Sequence, residues 1–232
     1  VHFTLGHLFL LALKNQLTCL MRKIVCLTAT FLLFLTINAN SQISGVKKPD
    51  IKSVPDVDVY DLNGKHTSLK QLAKNKVLFI DNWFIPCPPC FIEMKMLHKL
   101  YAKYSESKDF CFITISRTDS GIVRKFIAKD SSMAKYVSSY QFFSKLEDFR
   151  LPVYFMPNCN AKVVIAGKML HDVQPDDPAK CPDDVLRFPA YPTVMIFDKK
   201  GNLIFKKTGY DGREAEAMAE IEKIINPALA AN

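Results

Sequence analysis

At 232 residues, with 49% apolar and 23% charged side chains, the chain can bury one sizeable core with room for an insertion, and its composition excludes a disordered polymer. The net charge of +8 includes Lys14, Arg22 and Lys23 from an N-terminal stretch without acids. Elsewhere lysines alternate with acids, which is the pattern of a solvated surface and argues against a nucleic-acid-binding stripe.

Met21-Arg22-Lys23 opens a charged segment, residues 24–37 are uncharged and mostly apolar, and Ala39-Asn40-Ser41 places small residues before Gln42. This is the pattern of a secretory signal cleaved near Ser41/Gln42, and it is shorter than the ~20 residues of a comfortable membrane span. Met21 is the expected start, with residues 1–20 an over-extended N-terminus. The alternative is a signal retained as an anchor. Neither Cys19 nor Cys26 follows the small residue that a lipoprotein signal needs, so no lipidation is expected. Export to the periplasm or cell envelope puts the remaining five cysteines, Cys87, Cys90, Cys111, Cys159 and Cys181, in a disulfide-permissive compartment.

Residues 42–54 are polar and aperiodic and read as a flexible leader to a domain over 55–232. Residues 57–62 alternate like a strand, Asn63-Gly64 signals a hairpin turn, and Ser68 is placed to cap a short helix over 69–73. Residues 77–80 and 110–115 are buried-strand runs. Between them Ile92, Met96, Leu97, Leu100, Tyr101 and Tyr104 recur at helical spacing. Asp119 or Ser120 caps the next helix, which can continue through 130–150. The run 151–155 contains Pro152 and is expected at a sheet edge. A Pro/Asp/Asn-rich insertion covers about 156–187. Residues 193–197 and 203–207 form a hairpin around 198–202, and a helix over 214–226 stops at Pro227. This order predicts a three-layer α/β domain, a mixed sheet with helices on both faces, an N-terminal β-hairpin extension and an insertion before the last hairpin.

Cys87-Pro88-Pro89-Cys90 lies between a buried strand and the start of a helix. A thiolate at a helix N-terminus is stabilised by unpaired N–H groups and the macrodipole, which makes it a nucleophile at neutral pH. The spacing puts Cys90 one turn later, where it can resolve a mixed disulfide. Cys87 is thus the expected attacking thiol and Cys90 the resolving one. A structural disulfide or half a zinc site is the competing reading, although no second CxxC or paired-histidine motif supplies the other ligands. Glu93, three residues after Cys90, shares its helical stripe with Leu97. Asp81 lies six residues before Cys87 on the strand.

With Trp83, the Cys pair, its helix and Tyr191-Pro192-Thr193 before the last hairpin, the segment from about residue 57 onward resembles the thioredoxin superfamily, specifically exported TlpA/ResA-like thiol–disulfide oxidoreductases. The resemblance implies that Pro192 is cis and faces the cysteines, with Tyr191 beside it, so that the neighbouring backbone pairs with substrate chains. It also implies that Glu93 tunes cysteine acidity. Asp81 matches the buried Asp of thioredoxin, and having both acids departs from the TlpA-like pattern. Trp83 and Pro86 fall among the expected substrate-facing residues, and Pro86 departs from the family's aromatic residue before the first cysteine, which bears on partner recognition. The expected activity is reduction of protein disulfides without a cofactor or metal, with electrons from a membrane-side dithiol donor. A thiol peroxidase of the peroxiredoxin type is an alternative, but its P-x-x-x-T-x-x-C motif is missing, with Phe84 and Ile80 at the diagnostic positions. A copper-binding chaperone of this fold is another, though such proteins use CxxxC.

Cys159 and Cys181 bracket a segment too polar to order itself by burial, and a structural disulfide between them is the default in an exported chain, with ligand binding or a second redox pair as the other options. Cys111, in mid-strand, reads as a small core residue.

Overall fold

In the computed structural model the described residues are 49–135, 149–159, 163–166, 169–172 and 177–231. The expected over-extension, signal and cleavage site over 1–41 lie outside them, as do residues 136–148 of the expected helix continuation, whose described part does not form: the helix ends at Ile127 and Ser131–Lys135 is a separate 3-10 turn. Among the described residues no helix is long and apolar enough to cross a membrane.

The N-terminal hairpin pairs β1 (Asp58–Asp61) with β2 (His66–Ser68). Its turn is closed by the Asp61 carboxylate, which accepts from the backbone N–H of Asn63 at 2.8 Å and of Lys65 at 2.9 Å. Gly64, at φ +82°, supplies the left-handed residue the turn needs. Ser68 then caps α1 (Leu69–Ala73), its hydroxyl accepting from Gln71 N–H. The leader's last residues are not free. Val54 is buried and its N–H donates to the Gly201 carbonyl, Leu203 N–H donates to the Lys52 carbonyl, and Asp50 pairs with Lys206 at 2.6 Å.

The sheet is built on β3 (Val77–Trp83), which is buried along its whole length. It runs parallel to β4 (Phe110–Ser116) on one side. On the other it is antiparallel to β8 (Thr193–Phe197), which pairs with β9 (Leu203–Thr208). With β5 (Val153–Phe155) the order is β2-β1-β5-β4-β3-β8-β9. β5 is therefore internal, between β1 and β4, and not the edge that its proline suggested. Pro152 stands just before the strand, and its carbonyl accepts from Thr114 N–H at 2.8 Å, so the missing N–H interrupts no ladder bond.

Alternate residues of the central strands face two cores. Val77 and Phe79, with Phe112, Val194 and Ile196, lie under α2 (Pro88–Tyr104), α3 (Ser120–Ile127) and α5 (Glu214–Ala230). Leu78 and Ile80, with Ile113, Ile115 and Met195, lie under α1 and part of the insertion: Cys159, Cys181, Leu186 and Phe188. The insertion thus completes a layer that five-residue α1 is too short to cover. It holds a separate hairpin of β6 (Val163–Ala166) and β7 (Met169–Asp172), and a short helix, α4 (Pro182–Val185).

Two helix expectations need correction. Ile92 is 44% exposed, whereas Phe91, Glu93 and Met94 face inward. Phe91 packs against Phe126 and Trp83, at 5.2 and 6.1 Å between ring centroids, and this sets the rotation of the helix. α5 also runs through Pro227 to Ala230. In a last turn the proline removes only one backbone bond, and Ala231 N–H donates to its carbonyl while Lys199 Nζ donates to that of Leu229.

Candidate active site

β3 ends at Trp83, and the next four residues carry the chain to α2. This connection is held by the residues that follow β4: Arg117 N–H donates to the Trp83 carbonyl at 3.0 Å, and Ile85 N–H to Thr118 Oγ1 at 2.8 Å. The Ile85–Pro86 bond is cis. Cys87 is the N-cap of α2, with Pro88 and Pro89 in the first turn, where a missing N–H is harmless. Its sulfur accepts from Cys90 N–H at 3.3 Å. Cys87 and Cys90 are joined as a disulfide with Cα atoms 5.3 Å apart, and both are buried, with Pro88 exposed between them.

Tyr191–Pro192 is a cis bond immediately before β8. Gly209 N–H donates to the Pro192 carbonyl, and Asn82 Nδ2 to that of Thr193, so β9 and β3 both anchor the loop. The Tyr191 ring contacts Phe84 of the cysteine loop at 5.1 Å and Phe188 at 5.0 Å. The structure therefore brings the Cys87 and Pro192 loops together through Phe84 and Tyr191. Tyr191 Oη donates to Asp183 Oδ1 at 3.0 Å, which ties this loop to the insertion.

Asp81 and Glu93 are both almost wholly buried, at 1% and 3% exposure. Asp81 Oδ1 and Glu93 Oε2 make no hydrogen bond among the described residues. Burial pushes Asp81 up to about 8, opposed by the Asn82 backbone N–H. Glu93 is also raised, first by burial and then by the charge of Asp81, while the Lys207 ammonium pulls it down. A carboxyl held at about 8, as Asp81 is, can take up and return a proton near neutrality.

This has a consequence for stability. Between the ordinary carboxylate range and the raised values, the folded protein keeps protons that the unfolded chain has lost, so stability falls as pH rises through that window. One group held this way gives a slope of about 1.4 kcal/mol per pH unit. Urea midpoints of the oxidised protein should decline from about pH 5 to about pH 8, and Asp81→Asn should flatten the decline. Parallel curves for the two proteins would show that Asp81 ionises normally.

Trp83 is a correction. It is wholly buried, its indole N–H donates to Thr114 Oγ1 at 3.1 Å, and it cannot touch a substrate. Pro86 is half-buried beside Cys87. Cys159 and Cys181 are bonded to each other, with Cα atoms 4.7 Å apart, and Cys111 is the free, half-buried cysteine among the described residues. Sequence reasoning missed Thr118, Asp183 and Lys207. Each is a polar residue whose place depends on a distant strand or loop, and no local pattern marks it.

A mixed sheet, a cysteine pair capping the helix after its central strand and a cis-proline loop packed on the cysteine loop through Tyr191 and Phe84 define a thioredoxin-like α/β protein. The same fold is found in the C-terminal domain of a proposed thiol-disulfide oxidoreductase from Bacteroides thetaiotaomicron, with a TM-score of 0.50 at 15% identity over 78% of this chain and 99% of that one. The redoxin family profile matches residues 47–173, and the chain belongs to that family. It is similar to the thiol-disulfide oxidoreductase ResA of Bacillus thuringiensis strain Al Hakam, 44% identical over 55 residues, or 24% of this chain and 31% of that protein. ResA of Bacillus thuringiensis subsp. konkukian is 36% identical over 78 residues, 34% of this chain and 44% of that protein. The matches thus span less than half the length of these curated relatives.

Proposed function

We propose that this protein is an exported thiol–disulfide oxidoreductase that reduces disulfides of protein substrates. The observation that carries this reading is Cys87 at the N-cap of α2, its sulfur on the Cys90 N–H, on the helix that also carries the buried Glu93, which feels the charge of the buried Asp81 of β3. In the reduced protein the Cys87 thiolate, stabilised by the helix N-terminus, attacks one sulfur of a substrate disulfide and releases the other as a thiolate that takes a proton from solvent. Cys90 gives its proton to the Asp81–Glu93 pair and attacks Cys87. The second substrate thiolate leaves and is protonated, so the substrate gains two electrons and Cys87–Cys90 becomes a disulfide.

The two buried acids disfavour the thiolate, and a less stable thiolate makes a dithiol more reducing, which favours the reductase direction. A membrane-side dithiol donor would restore the reduced pair. Tyr191 and Pro192 would present backbone to the substrate chain. The signal pattern over residues 21–41 supports export, as does a second, buried disulfide, which an oxidising compartment would preserve.

The test is trapping. A Cys90→Ser form expressed in the native compartment should accumulate mixed disulfides between Cys87 and client proteins, visible on non-reducing gels and lost on reduction. Trapping by Cys87→Ser but not by Cys90→Ser would reverse the assignment of the two thiols.

A further inference from the structure

Glu93 points into a cavity of about 10 Å³, enclosed by α2, β8, β9 and α5 and lined by Val194, Phe205, Lys207, Tyr210, Ala217 and Ile221 as well as Gly209. The volume is about that needed by one water, and the lining offers such a water three polar side chains, Glu93, Lys207 and Tyr210. On the protein side stands the buried Asp81–Glu93 pair. On the solvent side stands Lys207, whose side chain is 42% exposed and whose ammonium pairs with Glu220 of α5 at 2.5 Å. Asp81 itself is 1% exposed and lies on the central strand, so a proton it takes up has no direct contact with solvent.

We infer that Lys207 and the cavity between β9 and α5 form the solvent-side half of a proton path that begins at Cys90 and passes through Glu93. This rests on the dithiol reading above. In the resolving step the Cys90 S–H bond breaks, the proton passes to a carboxylate of the Asp81–Glu93 pair, and the thiolate attacks the Cys87 sulfur. The carboxyl then returns its proton to the cavity water and from there to bulk solvent. Lys207 is a positioning residue: its charge favours the ionised Glu93 that must receive the next proton. The other groups facing this site are Asp81 from β3, which opposes ionisation of Glu93, and Tyr210 from the loop after β9. From α5, Glu220 is engaged by Lys207, and Glu214, near Tyr210, is engaged by Lys99 of α2. Cys90 is buried on the same helix, three residues before Glu93.

The experiment mixes the reduced protein with 5,5′-dithiobis(2-nitrobenzoate), which releases one coloured thiolate when Cys87 attacks and a second when Cys90 resolves. The rate of the second phase is followed against pH. Loss of the cation raises the pH at which Glu93 ionises, so Lys207→Met should move the acidic limb of that phase upward by about one pH unit, and Lys207→Arg should restore it. In a Glu93→Gln background Lys207→Met should add no further shift. Ala217→Leu, which fills the cavity, should slow the second phase several-fold while leaving the first unchanged. Superimposable profiles for wild type and Lys207→Met would overturn the inference, as would an equal Lys207→Met shift with Glu93→Gln present, which would mean that the lysine acts on the thiols directly. Absence of a second phase in the wild type would instead remove the dithiol reading itself.

Discussion

Cys87→Ser should reduce disulfide reductase activity by about 10³-fold or more, the scale seen when an enzyme loses its covalent nucleophile, with little loss of stability. The two halves of this expectation come from one position. Cys87 is the N-cap of α2, and its sulfur accepts from the Cys90 N–H at 3.3 Å. A serine hydroxyl is a better acceptor at an N-cap than a thiol, so the helix start keeps its bond. At neutral pH, however, a serine hydroxyl yields neither an alkoxide nor a disulfide, and Cys90 is left without a partner. The measurements are insulin or small-disulfide reduction beside a urea denaturation curve. Residual activity near the wild-type level, with the protein folded, would move the nucleophile elsewhere. Loss of activity together with unfolding would leave the role undecided, and the Cys90→Ser trapping result settles it in that case.

Much of this site was legible because its signals are local. A buried run, a CxxC and a helical repeat lie within thirty residues, and each constrains the next. Asn63-Gly64, the Ser68 cap and the hairpin loop at 198–202 were readable for the same reason, since turn chemistry is written in two to four adjacent residues. What escaped depends on tertiary placement. Trp83 looks like part of the active-site motif, yet its indole is used up on Thr114 of the neighbouring strand. Pro152 argued for an edge, but a proline just outside a strand imposes no such restriction. Ile92 fits the helical repeat by spacing, whereas the aromatic contacts of Phe91 fix which stripe turns inward. Lys207 sits in a run of polar residues on an outer strand and reads as solvated, and only the approach of α2 and α5 gives it a carboxylate to face. The insertion is too polar by composition to announce a core, yet Cys159, Cys181, Leu186 and Phe188 supply part of the second one.

Removing the Cys159–Cys181 link should cost about 3 kcal/mol of stability if native strain is small, and should also weaken substrate binding. The two cysteines are 22 residues apart in sequence, and in the chain-entropy account a loop of that size gives a stabilisation of this order. Burial adds to it. Cys159 is 2% exposed and Cys181 is fully buried, both packed with Ile80, Ile115 and Met195 in the core that α1 and the insertion share. Alanines at both positions would also lose that packing. The consequence for binding follows the chain outward from Cys181. Two residues on, Asp183 accepts from Tyr191 Oη, and Arg117 Nε lies 3.6 Å from the same carboxylate oxygen. Loosening Cys181 therefore loosens the group that orients Tyr191, next to Pro192. The Cys159→Ala/Cys181→Ala double variant should lower the urea midpoint with little change in slope and raise KM for a protein disulfide more than it lowers kcat. Asp183→Asn should reproduce part of the KM effect with a smaller loss of stability. An unchanged midpoint in the double variant would show that the insertion is ordered by packing alone. An unchanged KM alongside a lowered midpoint would confine the link to a structural role.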